Sequence, residues 1–533
     1  MKKTIILKIL LSTLSALIIC LGLYNAYQTS SSLYYINSDV VDTGLLWQGV
    51  HQYGWSFLKS WNYNVDNWLL SLFPIHFVLF EIFGADTIIL VWFGYIVYLL
   101  NILLCSAIAY QLGAKKSSFF IILLLLFGNY YLFFAGFITY PISHNSTNLY
   151  GLFSILLIIK WLKSPKYIYL FLIFFSCLLP ACSDPWFLPN YLLPMIITQF
   201  CFLKKDFPLF KADKSSILLT ILLLLSLLIT YTHFFGILSF TTQKHNVFIN
   251  FFQNHNENGK MLIRNIGYFI NFIPTNLTNL QSAKFSWTVL GSFIIICIAL
   301  AILSNIIIKY NTNPYLSRFL MISGLSVFFS ILSYSFLDTR FLEIYSGRYL
   351  INIPLFIVMA MVIAIEFFWN KINFIIKTIF SILLILYLTS SIYSTISLWN
   401  KKYDLSTSQY GRLANFLIQN DLNYGYADYW QANMVTWLFH KKIAIRPLVF
   451  NSNGMIVSDM NLQTSKLWYQ KSDLPKNNKN IFIIVDKKIS KCTDQQSCTL
   501  KLAQQFGLPK KILSYNEEFI MVWDHPLLEM IKS

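Results

Sequence analysis

The sequence predicts a polytopic α-helical membrane protein with about eleven transmembrane helices and a small extracytoplasmic α/β domain at its C-terminal end. Of the 533 residues, 56% are hydrophobic and 12% are charged, whereas a soluble domain carries about 25% charged residues. Long apolar runs recur over residues 5–368, and a run of about 20 apolar residues crosses a bilayer as a helix. The composition therefore excludes a single water-soluble globule.

The distribution of charge predicts how the chain is threaded through the membrane. Lys and Arg outnumber Asp and Glu by 40 to 23, which gives a net charge of +17. Most of these cations lie in short gaps between apolar runs, as the positive-inside rule requires of cytoplasmic loops. This placement explains the basic excess without a nucleic-acid partner. We predict a multi-pass protein of the plasma membrane with a cytoplasmic N-terminus.

The first helix and the loop after it are the most distinctive part of the predicted topology. The apolar run 4–24 is too long for the core of a signal peptide, so it reads as an uncleaved helix. A long first outer loop, 29–86, follows. Within it, segment 68–83 is short for a span and includes ionisable side chains, which favours a helix lying along the outer interface. Asp86 would then begin the second span.

The remaining apolar runs complete eleven spans, and the basic clusters fall in the cytoplasmic gaps between them. A second long outer segment, 239–284, precedes the eighth span. Residues 1–398 thus form a transmembrane domain whose odd number of spans delivers the C-terminus to the outer face. The spans after the first are predicted near 87–112, 117–136, 148–162, 167–183, 187–203, 216–235, 285–308, 316–337, 348–368 and 374–398.

Residues 399–533 are polar and long enough for one small domain. Apolar residues recur at helical spacing over Gln409–Gln419, and 499–506 also looks helical, whereas 481–485 and 519–523 are apolar strand-like runs. The alternation predicts a small α/β domain. Its two cysteines, Cys492 and Cys498, either close a short disulfide loop in an oxidising compartment or remain free thiols.

Asp39 and Asp42 are the strongest candidates for catalysis. They lie three residues apart in the first outer loop, so on a helical turn they share one face. Partial desolvation at the water–membrane boundary makes a carboxylate more basic, as a group that deprotonates a hydroxyl requires. The alternative is that one of them simply caps a helix within Asn37-Ser38-Asp39. The sequence leaves open which of the two would be the base.

Arg348 is the leading candidate for binding a phosphate. It opens the tenth predicted span at its outer end, against the charge bias, and a guanidinium matches phosphate oxygens. Arg264 and Lys260 are weaker candidates for the same role, and Tyr345 lies nearby in sequence as a substrate contact. The alternative for Arg348 is contact with bulk phospholipid or pairing with Asp338 or Glu343.

Three further residues are candidate substrate contacts, and each also has a purely structural explanation. Asp184 precedes a proline and suits an ordinary tight turn as well as a substrate or metal contact. His144 lies in a predicted outer loop where Asn145 or Ser146 would cap the next helix. Trp47 belongs to an aromatic first loop, and aromatic rings either stack on sugars or anchor a helix at the interface. The histidines lack zinc-site spacing, so no metal is assigned.

The chain resembles the GT-C class of polytopic glycosyltransferases. The resemblance lies in the first helix, the long outer loop with an early acidic residue and an interfacial helix, the many further spans and the outer α/β domain. In that class an acidic residue early in the first outer loop acts as the base or orients the acceptor, and the matching position is Asp39, with Asp42 as the close alternative. Basic residues of outer loops bind the phosphate of a polyprenyl-linked sugar, and Arg348 fits best.

Some motifs of the class are missing. The second outer loop, 137–148, contains no carboxylate, and the Trp-Trp-Asp signature of oligosaccharyltransferases is absent. Neither a divalent metal nor protein glycosylation is therefore supported. Ala427-Asp428-Tyr429-Trp430 resembles that signature only in composition, and it reads equally as an acceptor surface or as a turn at a strand end.

The resulting hypothesis is an enzyme, an integral membrane glycosyltransferase without a cofactor. It would move a sugar from a polyprenyl-phosphate donor to a glycan or lipid acceptor on the outer face, by a single inverting displacement. The alternatives are a transporter or flippase of lipid-linked saccharides and a membrane assembly factor. Transport is less favoured because intramembrane charge is scarce: the main instance, Glu366, lies near a cytoplasmic helix end, where snorkelling to the interface explains it.

Overall fold

The first helix, α1 (Lys2–Leu33), continues past the predicted end of its apolar run. In the computed structural model, Asn25 of α1 accepts hydrogen bonds through Oδ1 from Thr395 Oγ1 at 2.7 Å and Trp399 Nε1 at 2.9 Å, which joins the first helix to the last span. The structure describes all residues except 1, 34–35, 65, 206–213, 235–254, 275–286, 312, 338–343, 402, 440–441, 451–455, 458–462, 475–479, 487–491, 493 and 531–533. Asp338, Glu343 and most of segment 239–284 therefore lie outside the described residues.

The first loop folds into three helices: α2 (Ser38–Tyr53), α3 (Phe57–Ser60) and α4 (Phe73–Phe83). Helix α4 corresponds to the short helix predicted at 68–83. Asp86 then caps the next helix by accepting a hydrogen bond from the backbone N–H of Ile88 at 3.0 Å, as expected for the start of the second span.

The bundle has a helix at each predicted position, with two corrections. Span 117–136 is not continuous: it breaks into α6 (Lys115–Leu126) and α7 (Tyr130–Phe134), because Asn129 caps α7 and also donates to the carbonyl of Tyr268 at 2.7 Å. Helix α8 (His144–Lys163) starts earlier than predicted, and its cap is Ser143 rather than Asn145 or Ser146. The bundle helices are α5 (Thr87–Leu112), α6 (Lys115–Leu126), α7 (Tyr130–Phe134), α8 (His144–Lys163), α9 (Tyr167–Ser183), α10 (Leu193–Lys205, after a π-helical turn Leu188–Leu192), α11 (Lys214–Phe234), α12 (His255–Phe269), α13 (Trp287–Tyr310), α14 (Pro314–Ser335), α15 (Asn352–Phe368) and α16 (Phe374–Thr395).

The helices make this a multi-pass membrane protein. Among the described residues, six helices are long and apolar enough to span a membrane, and shorter apolar helices accompany them. The contacts of Glu366 give it a structural role besides the predicted snorkelling to the interface. Its carboxylate caps α6, accepting from the backbone N–H groups of Lys116 at 3.2 Å and Ser117 at 2.6 Å, so its position has a structural cause.

The C-terminal residues form a small α/β domain, as predicted. A five-stranded sheet has the order β2 (Ala444–Pro447), β1 (Tyr424–Ala427), β5 (Ile481–Asp486), β7 (Glu518–Trp523) and β6 (Lys511–Tyr515). Strands β2, β1 and β5 are parallel, and β7 is antiparallel to both of its neighbours. Cys492 and Cys498 form a disulfide. The elements are α17 (Gln409–Gln419), β1 (Tyr424–Ala427), α18 (Tyr429–Phe439), β2 (Ala444–Pro447), β3 (Val449–Phe450), β4 (Ile456–Val457), β5 (Ile481–Asp486), α19 (Gln495–Phe506), β6 (Lys511–Tyr515) and β7 (Glu518–Trp523).

The domain is docked on the first loop through a close contact of α18 with α2. A Cβ atom at Gly44 would lie 2.3 Å from the Trp437 ring, so only glycine allows this approach. Trp437 also packs on Phe80 of α4, with ring centroids 5.7 Å apart. These contacts hold the C-terminal half of α18 against α2 and α4.

A buried ion pair at the same interface joins the sheet to the first loop. Arg446 of β2 donates to both oxygens of Asp473 at 2.7 Å, and Asp473 also accepts from the hydroxyl of Tyr53 at 2.6 Å. Both charged side chains are almost fully buried. The pair itself lies within the domain, and the hydrogen bond from Tyr53 links it to the first loop.

Replacing Asp473 with asparagine is expected to destabilise the protein by about 3–5 kcal/mol, because Arg446 keeps a buried charge without its counterion. The change is measurable as a lower thermal midpoint in detergent. Asp524→Asn is the matched control, since Asp524 pairs with Lys510 at 3.8 Å on an exposed surface, where a pair contributes about 1 kcal/mol or less. Equal midpoints for the two variants would contradict this account of the interface.

The domain is also expected to lose stability as pH rises. Burial raises the pKa of Asp428 to about 6 and that of Glu518 to about 7, and the charge of Asp486 adds to both shifts. Both groups bind protons more tightly when folded, so the stability they contribute is complete below about pH 4 and is lost as pH rises through their folded pKa values. We expect Glu518→Gln to flatten the fall of the thermal midpoint between about pH 4.5 and 7. Glu517→Gln, at the exposed neighbouring position, should keep the wild-type slope, and a wild-type slope in Glu518→Gln would refute the assignment.

Candidate functional site

The candidate site lies where the first turn of α2 meets the C-terminal domain. Asn37 caps α2 by accepting from the backbone N–H of Val40 at 3.2 Å, so neither Asp39 nor Asp42 is needed as the cap. The two carboxyl groups lie one turn apart on the same side of α2, and both contact the hydroxyl of Tyr429 at 2.8 Å. Neither carboxyl group is therefore committed to capping the helix.

The two aspartates differ in exposure and in their neighbours. Asp39 is partly exposed; burial raises its pKa, and Tyr429 and Arg348 oppose the rise. Asp42 is 2% exposed, and its second oxygen accepts from Asn433 Nδ2 at 2.8 Å. Burial and the charge of Asp39 together raise the pKa of Asp42 well above its ordinary value. The pair therefore separates into one accessible carboxylate and one buried group that resists ionisation.

A cavity of about 90 Å³ opens beside Asp39. Its wall combines carboxyl groups, one guanidinium, amides and aromatic rings. The lining residues are Asp39, Asp42, Trp61, Tyr63, Asn64, Asp66, Asn67, Trp68, Phe73, Phe137, Tyr140, Ile142, Ser143, His144, Arg348 and Gln463. The cavity thus holds both a candidate base and a candidate anion-binding group.

Arg348 reaches the cavity from the short 3₁₀ helix Ile344–Leu350. Its guanidinium donates to the hydroxyl of Tyr349 at 3.1 Å and lies 5.9 Å from the Phe137 ring centroid. A Cβ atom at Gly347 would lie 3.0 Å from the Phe269 ring, so the glycine permits helix packing.

His144 and Asp184, predicted separately, are adjacent in the structure. His144 Nδ1 lies 2.9 Å from Asp184 Oδ2, and the imidazole stacks on Trp186 with ring centroids 4.9 Å apart. Asp184 also accepts from Thr147 Oγ1 at 2.6 Å and from the backbone N–H of Trp186 at 3.0 Å. Asp184 therefore stabilises the turn before Trp186 and orients the His144 imidazole. Of the two residues, only His144 lines the cavity.

The architecture is similar to that of solved membrane-protein structures over almost the whole chain. ArnT from Cupriavidus metallidurans bound to undecaprenyl phosphate aligns with a TM-score of 0.51 at 8% identity, covering 97% of this chain and 98% of that chain. The chain has a GT-C-like fold. An oligosaccharyltransferase from Archaeoglobus fulgidus, solved with Zn and sulfate, aligns with a TM-score of 0.41 at 10% identity over 95% of this chain and 73% of that one. No protein-family model matches the chain, and a comparison with curated proteins gives no match.

Within the GT-C-like fold, five of the predicted site residues do not line the cavity: Trp47, Asp184, Lys260, Arg264 and Tyr345. Trp47 donates from Nε1 to Glu81 at 2.7 Å and so joins α2 to α4. Lys260 forms an exposed ion pair with Glu257 at 2.9 Å. Tyr345 contacts the cavity wall from outside: its ring stacks on the ring of Phe137, with the centroids 5.4 Å apart.

Arg264 is the predicted residue with the most unusual surroundings. It lies on α12 and is 9% exposed, and its Nε and Nη2 atoms have no hydrogen-bond partner among the described residues. A buried guanidinium with unpaired donors is costly. Its nitrogens therefore offer binding capacity for an anion.

Several residues of the site are not predictable from the sequence. Tyr429 and Asn433 come from the C-terminal domain, far away in sequence, and only the Ala427-Asp428-Tyr429-Trp430 composition hinted at this region. Asp428 in that motif accepts from the backbone N–H of Trp430 at 2.9 Å, so the motif forms a turn at a strand end and also places Tyr429 in the site. Across the described residues, no three His, Cys, Asp or Glu side chains are grouped to hold a metal ion.

Proposed function

We propose that this chain is a plasma-membrane glycosyltransferase that transfers a sugar from a polyprenyl-phosphate donor to an acceptor hydroxyl. The observation that carries the proposal is that the Asp39 carboxylate and the Arg348 guanidinium line one cavity. A glycosyl transfer needs a base for the acceptor and a cation for the departing phosphate. The GT-C-like fold supports the donor class, since the similar ArnT was solved with undecaprenyl phosphate.

In the proposed reaction, Asp39 takes the proton of the acceptor hydroxyl as its oxygen attacks the anomeric carbon. The bond from that carbon to the phosphate oxygen breaks, and the phosphate leaves with the electron pair. Arg348 stabilises the charge that develops on the phosphate. One displacement from the face opposite the leaving group inverts the anomeric centre. Asp39 keeps the transferred proton until the product leaves.

Arg264 is a second proposed contact for the anionic donor. Its unpaired guanidinium nitrogens provide the donors that a phosphate accepts in a charge-assisted pair. Lys260 is less suited, because it is exposed and already paired. We therefore assign the phosphate to Arg348, with Arg264 in support. No step of the proposed reaction requires a metal or another cofactor.

The proposed orientation has the N-terminus in the cytoplasm and the C-terminal domain outside. It rests on the basic residues in the predicted cytoplasmic gaps. The cavity would then face the outer leaflet, where a flipped lipid-linked sugar meets a glycan or lipid acceptor. A cysteine-accessibility measurement on an exposed residue of the domain, such as Asp404→Cys, tests this orientation.

A transferase and a transporter of lipid-linked saccharides are separated by comparing detergent with sealed vesicles. A transferase cleaves the polyprenyl-phosphate sugar in detergent, where there are no compartments, and it forms a new glycoside. A transporter moves the intact donor across a sealed vesicle and leaves its phosphate bond unbroken. Translocation of the intact donor without cleavage would overturn the proposed function.

A further inference from the structure

The two short contacts of the Tyr429 hydroxyl indicate the protonation states of the carboxyl groups of Asp39 and Asp42. Its phenolic oxygen lies 2.8 Å from Asp39 Oδ1 and 2.8 Å from Asp42 Oδ2. A phenol has one proton and donates a full hydrogen bond to only one acceptor. The second contact, at the same short distance, requires a proton on the other group. One of the two carboxyls is therefore a carboxylic acid.

The surroundings identify Asp42 as the protonated member. Asp42 is 2% exposed, and among the described residues the hydrogen-bond contacts given for its oxygens are with two neutral groups, Tyr429 and Asn433. Asp39 is partly exposed, shares the cavity with Arg348, and has its charge favoured by that cation. Ionised Asp42 would put a second buried negative charge one helical turn from the first, which costs far more than a neutral acid.

We propose that Asp42 is a neutral carboxylic acid and that, together with Tyr429 of the C-terminal domain, it positions Asp39 as the base. The hydrogen bonds run in one direction: Asp42 O–H donates to Tyr429 Oη, and Tyr429 O–H donates to Asp39 Oδ1. This proposal rests on the proposed function and deepens it, because it distinguishes the two aspartates and makes the C-terminal domain part of the active site.

The arrangement has consequences for catalysis. The hydrogen bond from Tyr429 holds the Asp39 carboxylate in one orientation, and the neutral Asp42 spares an anionic donor a second repulsive charge. Because Asp42 already carries a proton, it cannot accept the one that Asp39 takes from the acceptor. That proton leaves through the cavity. Asp42 and Tyr429 are thus positioning residues, and Asp39 is the catalytic one.

The position of Tyr429 is fixed by contacts other than the hydroxyl itself. Ser38 Oγ lies 3.0 Å from the carbonyl oxygen of Tyr429 and 2.8 Å from that of Trp430, and Gly44 allows α18 to approach α2. Removing only the Tyr429 hydroxyl therefore leaves the docking intact. This makes Tyr429→Phe a suitable probe.

The test compares an isostere with an apolar replacement at Asp42. In Asp42→Leu both hydrogen bonds are lost, and we expect kcat/KM to fall about tenfold or more. In Asp42→Asn the amide N–H₂ can donate to Tyr429 as the acid does, and the amide oxygen can accept from Asn433, so this variant should recover most of that loss. It should also lack any alkaline decline of activity that comes from ionising Asp42. Tyr429→Phe should lower kcat about tenfold with little change in the donor KM and move the acidic limb of the pH profile upward.

An infrared measurement tests the protonation state without substrate. The wild type at neutral pH should show the carbonyl stretch of a protonated carboxylic acid that is missing from Asp42→Asn and retained in Asp39→Asn. A band lost in Asp39→Asn and retained in Asp42→Asn would overturn the proposal, as would a folded Asp42→Asn as inactive as Asp39→Asn. If the wild type transfers no sugar, the proposed function fails, and the infrared comparison still decides the state of Asp42.

Discussion

Replacing Asp39 with asparagine is expected to lower kcat/KM for glycosyl transfer by about 10²–10⁴-fold, the range for loss of a positioned general base. The side chain keeps its size and can still accept from Tyr429, so α2 and its docking should be unchanged. Only the capacity to take the acceptor proton disappears. Initial rates of product formation in detergent, at saturating and at low donor, measure the effect.

Asp86→Asn is the matched control for this substitution. Asp86 belongs to the same loop and caps α5, and asparagine caps a helix about as well as aspartate. We expect wild-type activity and thermal midpoint in this variant. An Asp39→Asn protein that folds and keeps activity within a few-fold of Asp86→Asn would remove Asp39 from the mechanism.

Replacing Arg348 with methionine is the second large predicted effect. Loss of a charge-assisted hydrogen bond costs about 1.5–3 kcal/mol, which corresponds to about a 10- to 150-fold fall in kcat/KM. Arg348 also lowers the pKa of Asp39. In Arg348→Met the acidic limb of the pH profile should therefore move upward, because the carboxyl loses the cation that favours its charge.

Arg348→Lys separates charge from geometry at this position. Lysine retains the charge but cannot form the bidentate contact of a guanidinium with phosphate. We therefore expect Arg348→Lys to be more active than Arg348→Met and less active than the wild type. Arg412→Met, on the exposed face of α17, should match the wild type. Unchanged donor kinetics and pH profile in Arg348→Met would exclude Arg348 from phosphate binding.

Individual helices and their caps can be predicted from the sequence because they depend on residues that are close together in the chain. The helix Gln409–Gln419 has the predicted bounds since its apolar residues repeat at helical spacing, and Asp86 starts α5 as a cap should. The break between α6 and α7 was not predictable in the same way. Asn129 ends that helix by bonding to the carbonyls of Tyr268 and Phe269, which are distant in sequence.

The site shows the same division between local and long-range causes. Asp39 and Asp42 stand out because carboxylates are rare at helix ends in so apolar a chain. The pairing of His144 with Asp184 and the contact of both aspartates with Tyr429 depend on which helices meet. No periodicity within α2 or α18 encodes that meeting.

The Asp39 cavity as a transferase site is tested most directly by release of free polyprenyl phosphate. Purified protein in detergent would be incubated with a panel of radiolabelled polyprenyl-phosphate sugars and an extract of envelope acceptors, with Asp39→Asn and Asp86→Asn alongside. We predict release and a labelled product from one donor with the wild type and Asp86→Asn, and almost none with Asp39→Asn. No release from any donor, or equal release by Asp39→Asn, would contradict the account.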